Sequence, residues 1–190
     1  MDILVACEHS GTVRDAFRDV GFSAMSCDLK SDTSKYGSKH HYQGDMFDLD
    51  LSSFLLVIAH PPCTAICTSG NGHYRNTPAR SEGAEFFKRI WDCPAERLAI
   101  ENPVGIINGF YRALPKPYYI QPWQHGHPAT KRTGIWSRNL PRLVSTRVVT
   151  PHPNNNINNA SGKGEELREI RSITYVGIAR AMAKQWGDIL

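Results

Sequence analysis

Four short apolar segments, each followed by polar or small residues, constrain the fold of this chain most strongly. They are residues 2–6 (DILVA), 23–27 (SAMSC), 54–60 (FLLVIAH) and 97–103 (RLAIENP). Segments with helical spacing, 12–21 and 81–93, lie between them. This alternation is typical of an α/β sheet, and the continuous apolar run at 54–60 is typical of a strand buried on both faces of a parallel sheet. The sequence therefore predicts a mostly parallel central sheet flanked by helices.

The size of the chain predicts a single domain that spans residues 1–190. With 190 residues, of which 41% are hydrophobic, the chain can bury a real core. Short strands are expected at 118–121 and 133–137, and a C-terminal helix should place Ile178, Met182 and Trp186 in one apolar stripe. Residues 148–166, rich in Asn, Gly and Pro, have the composition of a long surface loop.

Net charge and cysteine content restrict the kinds of partner and cellular compartment that fit this chain. A net charge of +4 permits a polyanionic partner but predicts one only weakly. Five irregularly spaced cysteines without a cationic-then-apolar leader indicate reduced thiols in a cytosol. Apolar runs far shorter than ~20 residues predict no membrane span. We expect a cytoplasmic monomer.

Two motif classes are missing from the sequence. No G-x-x-x-x-G-K-[ST] motif is present, which argues against a P-loop phosphotransferase. Cys63-x-x-x-Cys67 lacks the second Cys or His pair that a zinc site requires, so no metal is expected.

Polar residues follow each predicted strand at the end where an open α/β sheet binds its ligand. A glycine turn after the first strand could bring backbone N–H groups to a ligand. Asp28, after the second strand, could accept hydrogen bonds from a ribose diol, and Asp45 could accept one from an adenine amine. The residues at these ends are Glu8, His9, Ser10, Gly11, Asp28, Asp45, His60, Pro61, Pro62, Cys63, Glu101 and Asn102.

Seven segments in this order resemble the catalytic domain of the S-adenosylmethionine-dependent cytosine-C5 DNA methyltransferases. They are LVACEHSG, VGFSAMSCDL, GDMFDL, LLVIAHPPCT, AEFFKRIWDCPAERLAIENPVGI, HGHPATKRTGIW and RSITYVGIARAMAKQWG. The resemblance implies a Rossmann-like class I methyltransferase fold with S-adenosylmethionine as cofactor. It implies cofactor contacts from Glu8, His9, Ser10, Gly11, Asp28, Asp45, Pro61 and Tyr175.

The resemblance also implies a mechanism, in which Cys63 adds to C6 of cytosine and makes C5 nucleophilic. Glu101 would share a proton with N3, and Arg132 would hold O2. Lys131, Arg132 or His60 could favour the thiolate of Cys63. In duplex DNA the cytosine would have to be flipped out of the helix. The substrate contacts implied are Pro62, Thr64, Asn102, Lys131, Arg75 and Arg80, with Asn102 expected to fix local backbone and the two arginines to contact phosphates.

Three departures separate this chain from the family pattern. Thr64 follows the nucleophile at a position where the family has Gln. In the first turn, Glu8 and His9 stand where the family has small residues. In the basic strand, Arg132 is present but the second arginine of the family pattern is missing. Residues 137–171 are too short for a separate recognition region, which predicts little sequence specificity, as in a compact phage or prophage type.

Three functions remain open at this stage. The first is methylation of cytosine C5 in DNA, and the second is the same chemistry on a free cytosine nucleotide or RNA. The third is a catalytically silent protein that binds the cofactor or nucleic acid. Cys7, Cys27 and Cys93 are expected to be inert core thiols. For Cys67 the sequence leaves the choice between inert and functional open.

Overall fold

The computed structural model describes residues 1–34, 37–152 and 172–190. Its strands form one sheet in the order β3-β2-β1-β4-β5-β7-β6. The strands are β1 (Ile3–Ala6), β2 (Ala24–Asp28), β3 (His41–Gln43), β4 (Leu56–Ala59), β5 (Leu98–Pro103), β6 (Tyr118–Ile120) and β7 (Thr133–Arg138). The helices are α1 (Thr12–Asp19), α2 (Asn71–Tyr74), α3 (Pro78–Trp91), α4 (Ile107–Phe110) and α5 (Val176–Gly187).

The first five strands are parallel, and β7 runs antiparallel to β5 and β6. Glu101 therefore pairs with Ile135, and Pro103 pairs with Thr133. The end of β5 lies beside the start of β7. We call the edge at which β1 to β5 end and β7 begins the carboxyl edge.

Alternation along the strands divides the core into two layers. Leu4 and Val57 face α3, while Ile3 and Leu56 face α1 and α5. All four residues of β1 and of β4 are buried. This explains the continuous apolar runs in the sequence, since both faces of the central strands are covered by helices.

The predicted mostly parallel α/β sheet is confirmed. The short strand β3, which ends just before Gly44, is not among the four apolar segments of the sequence, because three partly exposed residues at a sheet edge give no apolar pattern. Helix α3 begins at Pro78 rather than at residue 81, since proline at the first helical position needs no N–H partner. Within the described ranges, no helix is long and apolar enough to cross a membrane. Residues 153–166 of the expected loop lie outside the described residues.

Candidate active site

Cys63 stands in a rigid turn at the carboxyl edge, directly after β4. Its carbonyl accepts hydrogen bonds from the backbone N–H groups of Ile66 (3.1 Å) and Cys67 (2.8 Å). The Asn102 amide donates to the Pro61 carbonyl at 3.0 Å and ties the segment before the thiol to the end of β5. This agrees with the expectation that Asn102 fixes local backbone. The side chain of Cys63 is half-buried, so the turn presents it to the surface.

Glu101 is brought to the same edge by β5 and is held by several donors. His60 Nδ1 donates to its Oε2 at 3.1 Å, with the two side chains only 8% and 10% exposed. Burial raises the pKa of Glu101. The hydrogen bonds from His60 and Thr133, together with the charge of the Lys131 ammonium, lower the pKa by more than burial raises it. The net effect lowers the pKa, and Glu101 is a carboxylate near neutral pH.

Lys131, rather than Arg132, faces this cluster. The Lys131 ammonium acts on both Glu101 and Cys63. Arg132 is exposed and lies over the Tyr119 ring, 4.1 Å from its centre. Successive residues of an extended chain point to opposite faces, so Lys131 and Thr133 share one side and Arg132 takes the other. The structure does not bring Arg132 together with Cys63 and Glu101.

The first turn, after β1, is closed by internal contacts. Glu8 is buried and accepts hydrogen bonds from the N–H groups of Val13 (2.7 Å) and Arg14 (3.2 Å), which caps α1. Burial raises its pKa, while His60 and these N–H groups oppose the rise. Gly11 has φ +67°, and a Cβ there would lie 2.4 Å from Arg14 Nη2. The glycine makes room for a buried arginine.

Two neighbours complete that turn. His9 Nδ1 lies 3.2 Å from the Thr33 hydroxyl, and the Ser10 hydroxyl lies 3.1 Å from that of Thr12. Whether these residues also contact a cofactor stays a prediction.

Asp28 and Asp45 form a second acidic region at the carboxyl edge. One oxygen of each accepts a backbone N–H, from Lys30 at 2.8 Å and from Phe47 at 3.0 Å. Burial raises the pKa of Cys7, and both carboxylates raise it further, so both face the end of β1. Two carboxylates at adjacent strand ends provide the acceptors that a ribose diol and an exocyclic amine need. These two acceptors fit the adenosine half of S-adenosylmethionine.

The remaining predicted contacts are scattered. Pro62 and Thr64 are exposed beside Cys63, and Arg75 is exposed after α2. Arg80 is buried, and its Nη2 donates to Asn71 Oδ1 at 2.6 Å, so it holds α2 against α3 rather than reaching the surface. Tyr175 precedes α5 and packs against the His127 ring.

Cys67 lies beside the predicted nucleophile. Its sulfur lies 3.1 Å from the Ser69 hydroxyl and donates to the Thr64 carbonyl at 3.7 Å. The other three cysteines lie in or against the core, as expected. Among the described residues, no group of three or more His, Cys, Asp or Glu could hold a metal ion.

The sequence matches no protein-family model and no curated protein. Solved structures that resemble this one include two methyltransferases. The first, described as a DNA modification methyltransferase encoded within an E. coli prophage, has a TM-score of 0.54 and 12% identity over 79% of this chain and 52% of that chain. The second, the Entamoeba histolytica methyltransferase EhMeth, has a TM-score of 0.52 and 15% identity over 87% of this chain and 62% of that chain.

These comparisons establish the fold. The mostly parallel seven-stranded sheet flanked by helices is the Rossmann-like class I methyltransferase fold, as the sequence predicted. The chain aligns with between half and two thirds of the length of those two proteins.

Proposed function

We propose that this chain transfers a methyl group from S-adenosylmethionine to C5 of cytosine in DNA, through a covalent bond between Cys63 and C6. One observation carries the proposal: a half-buried thiol, a buried carboxylate and an ammonium, from Cys63, Glu101 and Lys131, meet at the carboxyl edge of a methyltransferase fold. Three different strand ends supply them. Polar residues often follow strands because turns favour them. That preference does not explain why these three groups interact with one another.

Asp28 and Asp45 would hold the adenosine half of the cofactor, and the turn from Glu8 to Gly11 would border its other half. Bound there, S-adenosylmethionine supplies an electrophilic methyl group on a sulfonium. Cytosine C5 does not react with such a group unaided, so the protein must first make it nucleophilic.

Cys63 performs that activation by adding as a thiolate to C6. The electron pair of the C5–C6 double bond then moves toward C4 and N3, and negative charge develops at N3. The Lys131 ammonium stabilises this charge, and Glu101 takes up a proton from solvent and passes it to N3. His60 donates to Oε2 of Glu101 and so fixes the orientation of the carboxylate. Loss of the C5 proton and expulsion of Cys63 complete the reaction.

A cytosine in duplex DNA must leave the helix to reach Cys63. Pro62 and Thr64 are exposed on either side of Cys63, and Arg75 is exposed after α2; these residues would contact the extruded nucleotide and its phosphates. The described residues include no separate recognition region, so we propose low sequence specificity.

Methyl transfer from radiolabelled S-adenosylmethionine tests this function. Duplex DNA, single-stranded DNA, RNA and dCMP would be compared with the wild-type chain and with Cys63→Ala and Cys93→Ala. Cys93 is a matched control because it is buried at the opposite end of β5. We expect label in duplex DNA with the wild type and Cys93→Ala, and none with Cys63→Ala.

Duplex DNA with fluorine at C5 of cytosine tests the covalent step. Fluorine cannot leave as a proton does, so the bond from Cys63 to C6 should persist and yield a denaturation-resistant complex. Label in RNA or in dCMP, without label in DNA, would show that RNA or the free nucleotide is the substrate instead of DNA. Absence of label from every substrate, with cofactor binding intact, would refute the enzymatic function.

A further inference from the structure

The first backbone N–H groups of α1 all donate to side chains of the preceding turn. A helix leaves these groups without partners of its own, and in many proteins they bind the anionic end of a ligand. Here Glu8 accepts two of them, Val13 N–H at Oε1 (2.7 Å) and Arg14 N–H at Oε2 (3.2 Å). The Thr12 N–H donates to the Ser10 hydroxyl at 3.4 Å. The first three N–H groups of α1 are therefore paired within the chain.

The Arg14 guanidinium does not replace these donors. It is fully buried and points away from the turn into a polar cluster under the sheet edge. It donates to the carboxylates of Asp15 (2.8 Å) and Asp32 (3.1 Å) and to the hydroxyls of Ser26 (2.9 Å) and Ser34 (2.8 Å). All three guanidinium nitrogens thus have acceptors in the protein.

Glu8 has the position that the anionic group of a ligand would otherwise have. Its residue is only 5% exposed, and both of its oxygens accept N–H groups of the helix. The partial positive charge of a helix N-terminus stabilises one carboxylate there. A second carboxylate at the same place would meet a like charge, and the donors it needs are already used.

S-adenosylmethionine carries a carboxylate and an ammonium at its methionine end, which in the proposed function borders this turn. The inference rests on that function. We propose that Glu8 replaces the cofactor carboxylate at the N-terminus of α1 and is a specificity-determining residue for the methyl donor. The protein recognises an adenosyl sulfonium through its adenosine half, at Asp28 and Asp45, and does not require the carboxylate.

Calorimetric titration of the full chain with S-adenosylmethionine and with decarboxylated S-adenosylmethionine tests this without any methyl transfer. The two ligands share the adenosine, sulfonium and ammonium groups, and only the first has the carboxylate. Hydrogen bonds from two N–H groups to a carboxylate contribute roughly tenfold or more to affinity. For the wild type we expect the two dissociation constants to lie within about threefold of each other.

Two variants of Glu8 separate its role from that of the rest of the turn. Glu8→Ala frees the Val13 and Arg14 N–H groups, so S-adenosylmethionine should bind roughly tenfold more tightly than the decarboxylated ligand. Glu8→Gln still fills the position, and its amide oxygen accepts one N–H, so the two constants should stay within about threefold. Glu96→Ala is the matched control, because Glu96 is an acid 70% exposed before β5, and it should behave as the wild type.

Tighter binding of S-adenosylmethionine than of its decarboxylated form to the wild type, by roughly tenfold or more, would overturn the role of Glu8. This comparison decides the matter even if Glu8→Ala does not fold. An unchanged ratio of the two constants in folded Glu8→Ala would overturn it as well. Failure of the wild type to bind either ligand would instead contradict the proposed function, so the two failures are distinguishable.

Discussion

Glu101 shows how one buried carboxylate depends on a few neighbours. It lies at the end of β5, where burial alone would favour the neutral acid, and His60, Thr133 and Lys131 reverse that preference. His60 contributes from the end of β4, and its Nε2 is buried without a hydrogen-bond partner among the described residues. The ring is therefore held mainly through Glu101. Removal of His60 would leave the desolvation of Glu101 offset only by Thr133 and Lys131.

We predict that His60→Leu lowers the free energy of unfolding at neutral pH by roughly 2 kcal/mol, the usual cost of losing a hydrogen bond to a buried charged group. The lowered pKa of Glu101 gives stability that is present above the unfolded pKa of about 4.3 and is lost as pH falls through the folded value. The difference between wild type and variant should therefore shrink below about pH 4. Urea unfolding at several pH values measures this.

His60→Asn is the matched control for that prediction. Its amide can donate to Glu101 near the position of Nδ1, so it should retain much of the stability at neutral pH. An equal loss at all pH values in both variants would show that His60 acts only by filling space.

Some residues of the candidate site are marked by a local pattern in the sequence, and others are placed only by contacts between distant elements. The structure brings Cys63 and Glu101 to the carboxyl edge, as the apolar runs that precede them predicted. The sequence left Lys131, Arg132 and His60 as alternatives beside Cys63, although alternation from Thr133 in β7 favours Lys131 over Arg132. Arg80 resembled a surface arginine, since no local pattern shows that α2 covers it. Its burial depends on contacts between elements.

At the scale of elements, helix α5 depends on a side chain from the distant loop before β7. His127 Nε2 accepts the N–H of Gly177 at 3.0 Å and so caps the first turn of α5. Close packing accompanies this bond, because a Cβ on Gly177 would lie 1.9 Å from the His125 carbonyl oxygen. The sequence predicted the helix from its apolar stripe but could not show this cap, which joins residues 50 positions apart.

The His127 cap predicts a pH-dependent stability. Only neutral imidazole can accept at Nε2, and burial, with help from Arg180, lowers the pKa of His127. Its contribution is complete above about pH 6.5 and is lost as pH falls toward the folded pKa. We expect about 1 kcal/mol of stability to depend on this bond.

His127→Gln isolates that contribution, because its amide oxygen can accept the same N–H but does not titrate. Urea midpoints for wild type and variant should agree above about pH 7 and diverge near pH 5, where the variant is the more stable. The slope that remains in the variant would report His125, whose pKa burial also lowers. If stability depended on pH in the same way in wild type and His127→Gln, the His127 cap would not be the source of that dependence.

At the scale of the whole molecule, charge is spread thinly. A net charge of +4 over 190 residues cannot give strong nonspecific binding to DNA, so in the proposed function a few cations near the carboxyl edge would contribute most phosphate contacts. Arg75 is exposed after α2, in the segment that follows Cys63 along the chain, whereas Arg80 is buried. Lys184 is exposed near the end of α5, at the opposite edge of the sheet.

Arg75→Glu should weaken binding to duplex DNA uniformly across sequences and reduce the slope of log K against log salt concentration by about 1. Lys184→Glu makes the same change in net charge and should leave the slope unchanged, because its side chain lies away from the carboxyl edge. Fluorescence anisotropy titrations at several salt concentrations measure both slopes. If the two variants lost affinity equally, overall charge would control binding and the carboxyl edge would have no special part in it.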